Sequence, residues 1–348
     1  MGASLAAAFR RLPGGRDRVV VLDNLRRRGS EHNLSRLRAL GVDFVHGDVR
    51  NPADLADLPG SFDAVIDAAA EPSVHAGLGG SPDYLLQTNL VGSVHCLEFA
   101  RRRAGAMVFL STSRVYALGA LRAIALRRRG DRFEPEPDQD IAGLGPEGIS
   151  EAFPTDAPRS LYGTSKLASE LLVQEYAWCF GLPAVVLRCG VLAGPGQFGR
   201  TDQGVFALFV ARHHFGRPLR FTGFGGRGLQ VRDLLHPLDL FELLCLALDH
   251  PERLRGAVLN VGGGREGAVS LAEFRRLCEE ATGRRVPVRE EASTAPVDVP
   301  WYVSDHRRAT GATGWRPRRR PPEIAKEIAE WIAAEEGRLR PLFDREDA

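Results

Sequence analysis

Tyr162 and Lys166 stand four residues apart in the run Tyr-Gly-Thr-Ser-Lys. On a helix that spacing puts both side chains on one face. An ammonium beside a phenol favours the phenolate and draws a reference pKa of about 10 toward neutrality. A tyrosine placed this way can take a proton from a hydroxyl and return it. Such pairs are also common on helix surfaces, so the neighbouring chemistry has to decide. It comes from Ser-Thr-Ser-Arg-Val-Tyr at 111–116, directly after an apolar run at 106–110. If that run is a parallel strand, Thr112 stands at its carboxyl end, where the ligand crevice of such a sheet opens. Its hydroxyl then shares the oxygen that Tyr162 serves. The plainer alternative is a strand-end turn whose hydroxyls satisfy their own backbone.

Other residues suggest a ligand for that crevice. Val19 to Leu22 end in Asp23 and Asn24. An acid at that place can hydrogen-bond adenosine ribose hydroxyls, which favours NAD over NADP. The arginines at 26–28 could instead hold a 2′-phosphate. Gly47, Asp48 and Val49 follow the next strand and are placed to flank an adenine. Ala68, Ala69 and Ala70 end the strand after that, and small residues there let a pyrophosphate approach the backbone. In Gln-Val-Arg-Asp-Leu-Leu-His at 230–236, the planar fork of Arg232 could clamp a substrate pyrophosphate. The alternative is a structural Arg232–Asp233 pair.

The elements that must position these groups alternate. Helices are expected at 3–12, 32–40, 83–103 and 161–180, the last capped by Ser160 and closed by Gly181. Strands are expected at 18–22, 43–45, 63–68, 106–110 and 184–187. This alternation predicts an α/β fold with a doubly wound parallel sheet, in a dinucleotide-binding domain over 1–190. Residues 117–158 interrupt it with a Pro-, Asp-, Glu- and Gly-rich stretch, expected to be an exposed insertion or lid. A smaller α/β lobe over 191–348, with helices near 238–248 and 271–281, is expected to bind substrate and to be partly interleaved with the first domain.

Composition narrows the setting. The net charge is +2 over 348 residues, and the arginine clusters are short, so no nucleic-acid partner is expected. No stretch is apolar enough to predict a membrane span. The five cysteines are far apart, which suggests buried free thiols in the reducing cytoplasm. Histidine and cysteine spacings match no metal site, and none is expected.

In order, Asp23-Asn24, Gly47-Asp48, the alanines at 68–70, the runs 111–116, 162–166 and 230–236 resemble the extended short-chain dehydrogenase/reductases that act on sugar nucleotides. Within that group the chain is most similar to the CDP-paratose 2-epimerase (CDP-tyvelose epimerase) branch, through the runs 188–198 and 201–204 and the long insertion before Tyr162. The resemblance implies a Rossmann-type fold, NAD as cofactor and a nucleotide-sugar substrate. It implies epimerisation through a transient keto-sugar, and homodimers formed by helices that include the Tyr162 helix. Tyr162 would be the base, Lys166 its partner and a ribose ligand, and Thr112 the group that orients the reacting oxygen. Asn89 would support the cofactor end of the sheet, while Arg232 and Gln203 would hold the diphosphate. Sugar 4,6-dehydratases carry Asp-Glu directly after the Thr112 position. Ser113 and Arg114 stand there instead, which speaks against elimination. The alternatives are a UDP-sugar 4-epimerase, a nucleotide-sugar reductase, and a catalytically weak nucleotide-sugar-binding remnant. Of the family's Gly-x-x-Gly-x-x-Gly opening only Gly2 remains. The first strand and the other glycines are expected upstream of Met1, and the chain as written is expected to bind NAD poorly and melt lower than one extended by about ten residues.

Overall fold

The computed structural model describes residues 1–13, 18–199 and 204–343. The first part of the chain runs α1 (Gly2–Phe9), β1 (Val20–Asp23), α2 (Asn33–Ala39), β2 (Asp43–His46), α3 (Pro52–Ala56) and β3 (Phe62–Asp67). Then come α4 (Asp83–Leu86), a π-helical turn (Gln87–Val91), α5 (Gly92–Arg103) and β4 (Ala104–Thr112). The single helix expected at 83–103 is therefore one helical run with a π-bulge at Asn89, a feature frequent at functional sites. Helix α7 (Leu161–Cys179) and β9 (Ala184–Cys189) follow, and β13 (Val258–Val261) returns later to the same sheet.

The sheet has two parts. One is β3, β4, β9 and β13, all parallel, in the order β13-β9-β4-β3. The other is the parallel pair β1 and β2. β3 and β1 each have one edge with no strand partner among the described residues. The two parts nonetheless share covering layers. Alternation along β4 sends Met107 and Phe109 toward α3, α5 and α7, where Leu55, Leu97 and Val173 pack, and Val20 and Leu22 of β1 join that cluster. Val108 and Leu110 face the other way, onto Leu5 of α1 and Leu243 and Leu244 of α9 (Pro237–Asp249). β9 is buried along its whole length, as a parallel strand covered on both faces must be.

The expected exposed insertion is a folded unit. It holds α6 (Leu118–Ala123), the hairpin β5 (Leu126–Arg129) and β6 (Arg132–Pro135), and a small hairpin β7 (Leu144–Gly145) and β8 (Gly148–Ile149). Leu121, Ile124, Ile149 and Phe153 are buried against Val231, Trp301 and Tyr302. Apolar side chains spaced through a polar stretch give it this core, and none of residues 117–158 lines the cleft described below.

The remaining elements are β10 (Val191–Leu192), α8 (Val205–His214), β11 (Leu219–Thr222), β12 (Val231–Leu235), β14 (Ala268–Ser270), α10 (Leu271–Thr282), β15 (Val288–Glu291), β16 (Trp301–Tyr302), α11 (Arg307–Thr313), α12 (Pro321–Ala334) and α13 (Glu336–Phe343). The two expected helices appear as α9 and α10, the latter started by a Ser270–Glu273 capping box. Helices α8 and α12 were not foreseen. Phe206, Phe209, Phe274, Ile324 and Ile328 join α8, α10 and α12 in one core. No helix among the described residues is long and apolar enough to cross a membrane. Cys96, Cys189 and Cys278 are buried free thiols as expected, but Cys179 is exposed and Cys245 is half-buried.

Candidate active site

A cleft of about 2200 Å³ runs along β1 and β3, between the two parts of the sheet, and continues past the carboxyl end of β4 toward β12. Thr112, Tyr162 and Lys166 all line it. Helix α7 starts where Ser160 Oγ accepts the Gly163 N–H at 3.1 Å, and this fixes Tyr162 in its first turn. Tyr162 and Lys166 are 8% and 2% exposed and share the buried face of the helix with Ser165, Ser169 and Glu170. Thr112 ends β4 opposite Cys189 of β9 and accepts the Arg114 N–H at 3.2 Å.

Burial is the largest influence on both Tyr162 and Lys166. Lys166 Nζ donates to the Leu110 carbonyl at 2.9 Å and lies 4.4 Å from the Phe109 ring centroid. Burial pushes the Tyr162 phenol above its ordinary value; the Thr112 hydroxyl and the Arg114 charge pull it back, while Cys189 and Glu71 push it up. Burial lowers Lys166, with Asp67 the chief group opposing the shift. Cys189 is pushed up to about 12 by burial, so it stays a thiol at neutral pH.

Gly2, Asp23, Asn24, Asp48, Val49, Ala68, Ala69 and Ala70 also line the cleft. A Cβ on Gly2 would lie 4.0 Å from the Ala68 methyl, so the start of α1 and the end of β3 meet there. Asp23 Oδ1 accepts the Leu25 N–H at 2.7 Å. Asn24 Nδ2 donates to Asp48 Oδ2 at 2.8 Å, and Arg50 grips both Asp48 oxygens, which holds that carboxyl well below its usual range. The arginines that could receive a 2′-phosphate line the same cleft and carry protein contacts of their own. Arg26 stacks on Tyr84 at 3.8 Å, Arg27 donates to the Phe198 carbonyl, and Arg28 donates to the Pro341 carbonyl.

Asn89, expected to support the cofactor end of the sheet, lies in the π-helical turn before α5. It is fully buried, its Oδ1 accepts the Glu71 N–H at 2.7 Å, and its Nδ2 donates to Glu71 O and Ser165 Oγ. It also does not line the cleft. Its polar atoms are spent tying the segment after β3 to α7, which is support rather than contact. Arg232 lines the cleft and does not pair with Asp233. It donates to the Val231 and Val299 carbonyls, and burial, with Arg114 nearby, lowers it to about 9. Asp233 accepts from Ser304 N and Gly264 N instead. Gln203 lies outside the described residues.

Residues 1–262 match the NAD dependent epimerase/dehydratase family. The chain belongs to that family. It is similar to CDP-paratose 2-epimerase of Salmonella typhi, at 29% identity over 331 residues, 91% of this chain and 92% of that one. Among solved structures it is similar to a double mutant of DesIV, the dTDP-glucose 4,6-dehydratase of Streptomyces venezuelae, with NAD and DAU bound (TM-score 0.77, 26% identity, 97% and 94% of the chains). It is also similar to the UDP-glucose 4-epimerase of Thermus thermophilus in complex with NAD (TM-score 0.74, 25% identity, 96% of each chain).

Within this family member, the sequence reading missed a buried network beneath the site. Glu170, one turn beyond Lys166, accepts Ser111 Oγ at 2.5 Å and three guanidinium contacts from Arg188 at 2.7–3.1 Å. Arg188 also reaches the Tyr116 hydroxyl, which donates to Asn260 Oδ1. The i, i+4, i+8 positions of Tyr162, Lys166 and Glu170 carried that signal. Arg114 was noted only as a non-acid. Its closeness to Tyr162 depends on how the 113–115 turn packs against Gly163, which no local pattern encodes.

Proposed function

We propose that the chain is an NAD-dependent nucleotide-sugar epimerase of the CDP-paratose 2-epimerase kind, acting through a transient keto-sugar. The observation that carries this reading is the convergence of Thr112 and Tyr162 on one cleft with Arg232, where Ser113 and Arg114 supply no acid for elimination.

The residues present fit the cofactor. Asp23 at the end of β1 and the alanines at 68–70 suit a dinucleotide without a 2′-phosphate. Asp23, Asn24, Asp48 and Val49 would hold its adenosine end, Gly2 and the alanines its pyrophosphate, and Lys166 its nicotinamide ribose. When bound, NAD supplies a hydride acceptor at the sugar carbon and gives the hydride back.

The chain's own groups handle the proton. Tyr162 Oη takes it from the sugar hydroxyl as that carbon is oxidised and returns it when the carbon is reduced. The Thr112 hydroxyl orients the same oxygen. Burial among Val74, Leu85 and Val297 keeps water from Tyr162 and so protects the keto-sugar. Arg232, with Gln203, would hold the nucleotide diphosphate.

We divide the chain into a cofactor domain, 1–190, and a substrate lobe, 191–348, with β13 returning to the first. We read the protein as a cytoplasmic homodimer. Helix α7 turns Thr164, Leu171, Glu175 and Trp178 outward on one stripe, and Trp178 is 87% exposed. A stripe at that spacing suits a second α7 packed against it.

Incubation with CDP-, UDP- and GDP-sugars, with NMR of the products, tests the reaction. Inversion of one sugar carbon without net redox change is expected, with a CDP-sugar preferred. A 4,6-dehydrated product, or accumulation of reduced cofactor, would overturn the epimerase reading.

A further inference from the structure

Tyr84 lies in α4, which follows β3, and its ring meets two guanidiniums that come from the other part of the sheet. Arg26 stands 3.8 Å and Arg50 4.6 Å from the ring centroid. Arg26 follows β1 and Arg50 follows β2, the pair of strands that shares no ladder with β3 among the described residues. The contact therefore spans the cleft between the two parts. It does so beside Asn24 and Asp48, which line the cleft together with Arg26 and Tyr84. The two arginines are held differently. Arg50 is anchored on both Asp48 oxygens. The Arg26 side chain is exposed and makes neither an ion pair nor a hydrogen bond among the described residues. The Tyr84 hydroxyl makes no hydrogen bond among them either, so its ring face is what joins the three segments.

We propose that Tyr84 is a latch across the adenosine end of the cofactor cleft, with the Arg26 side chain as its moving half and Arg50 as its fixed half. Closed, it keeps the dinucleotide in place between removal of the hydride from the sugar and its return. This rests on the reading of the protein as an NAD-dependent epimerase.

The surrounding contacts assign the two halves. His95 of α5 donates through Nδ1 to the Val49 carbonyl at 2.8 Å, which ties the segment after β2 to the far side of the cleft and fixes Arg50. Asn24 Nδ2 donates to Asp48 Oδ2 at 2.8 Å and joins the segment after β1 to it. Arg27 and Arg28, bonded to the Phe198 and Pro341 carbonyls, hold the backbone on either side of the turn. What is left free to swing is the Arg26 side chain, seated on the ring alone. The chemistry calls for such a device. The hydride taken from a sugar carbon must come back to it, so cofactor lost in between would strand a keto-sugar. A cation over a ring at a partly exposed site is a weak contact, and two of them together slow opening by about tenfold. That is enough to favour the closed state while still letting cofactor enter.

The test is cofactor exchange in the full chain. NADH is bound, an excess of NAD is mixed in, and the loss of nicotinamide fluorescence gives the release rate; mixing free chain with NADH gives the association rate. Tyr84→Leu removes the ring, Arg26→Gln removes the exposed cation, and Tyr84→Phe keeps the ring without its hydroxyl. Release is expected to quicken about tenfold in Tyr84→Leu and about threefold in Arg26→Gln, and to stay within about twofold of the parent in Tyr84→Phe. Association should quicken with release, so that Kd moves by less than about threefold, because a latch bars entry and exit alike. Arg26→Gln, at the surface, carries the test even where Tyr84→Leu fails to fold. Unchanged release in Arg26→Gln would overturn the proposal, as would faster release with unchanged association, the mark of a lost binding contact or a loosened fold. Equal quickening in Tyr84→Phe would assign the effect to the hydroxyl and overturn it too. A parent that binds no NADH would refute the cofactor reading and the latch with it. The exchange needs no sugar, so a chain that holds NADH but inverts no sugar would refute the reaction while leaving the latch standing.

Discussion

Glu170 and Arg188 form a pair whose removal should be felt through the whole molecule. Glu170 is fully buried and Arg188 is 7% exposed, so water cannot replace either partner. Burial disfavours the Arg188 charge, but the hydrogen bonds and charge of Glu170 more than offset this and raise it above its ordinary value. Glu170→Gln would leave that guanidinium in the interior facing a neutral amide. Breaking one partner of a buried pair costs about 3–5 kcal/mol. Gln can still accept from Ser111, so the lower end, about 3 kcal/mol, is expected. Arg188→Met should cost a similar amount, because it strands the carboxylate. Glu170→Met combined with Arg188→Met removes both charges at once and should fall within about 1–2 kcal/mol of the parent. A double-mutant cycle on Glu170→Met, Arg188→Met and the pair, by urea unfolding, would then give a coupling of at least about 2 kcal/mol. Single losses below about 1 kcal/mol, or a double mutant equal to the sum of the singles, would refute this reasoning. In that case Ser111 and the strand end beside Thr112 are held by packing alone.

Three further outcomes follow from particular contacts. Gly163→Ala drives a methyl into the Arg114 carbonyl, so it should cut turnover at least about tenfold and cost about 1–3 kcal/mol in stability; a variant with unchanged kcat and Tm would contradict the close approach. Asp48 is held below the ordinary carboxylate value by Arg50 and Asn24, so its contribution is present above about pH 4 and lost as pH falls further. Arg50 is 38% exposed, which limits the effect to about 1 kcal/mol; Asp48→Asn should flatten that part of the Tm-against-pH curve, and a parallel curve would be the contrary result. In the proposed dimer Trp178→Glu should break the α7 contact and give monomer in sedimentation while leaving monomer stability within about 0.5 kcal/mol, and an unchanged assembly would contradict the α7 contact.

The features legible in the sequence were those with a local signal. Ser160 capping a helix that carries Tyr162 and Lys166 could be read from residue order, as could strands ending at Asp23 and Thr112. Asn89 could be placed at the right point of its helix, but not the inward turn of its amide, which the π-bulge sets. Arg127, Arg128 and Arg129 dominate the middle of the insertion and are exposed, whereas Leu121, Ile149 and Phe153 are buried with partners distant in sequence, such as Val231 of β12 and Trp301 and Tyr302 of β16. Helix α8 is apolar almost throughout, so it has no polar face to mark its period. Glu170 lay on the right helical face, but its partner Arg188 comes from β9, and only the parallel register of β4 with β9 brings Ser111 and Arg188 together.

In the proposed reaction the Tyr162 oxygen carries the proton during sugar oxidation. Replacing Tyr162 with Phe and measuring both turnover and equilibrium binding of the preferred nucleotide-sugar tests it most directly. Turnover should fall by at least about a thousandfold while Kd changes less than about threefold, since one proton-transferring oxygen is removed and the cleft keeps its shape. Turnover within tenfold of the parent would show that another group moves the proton.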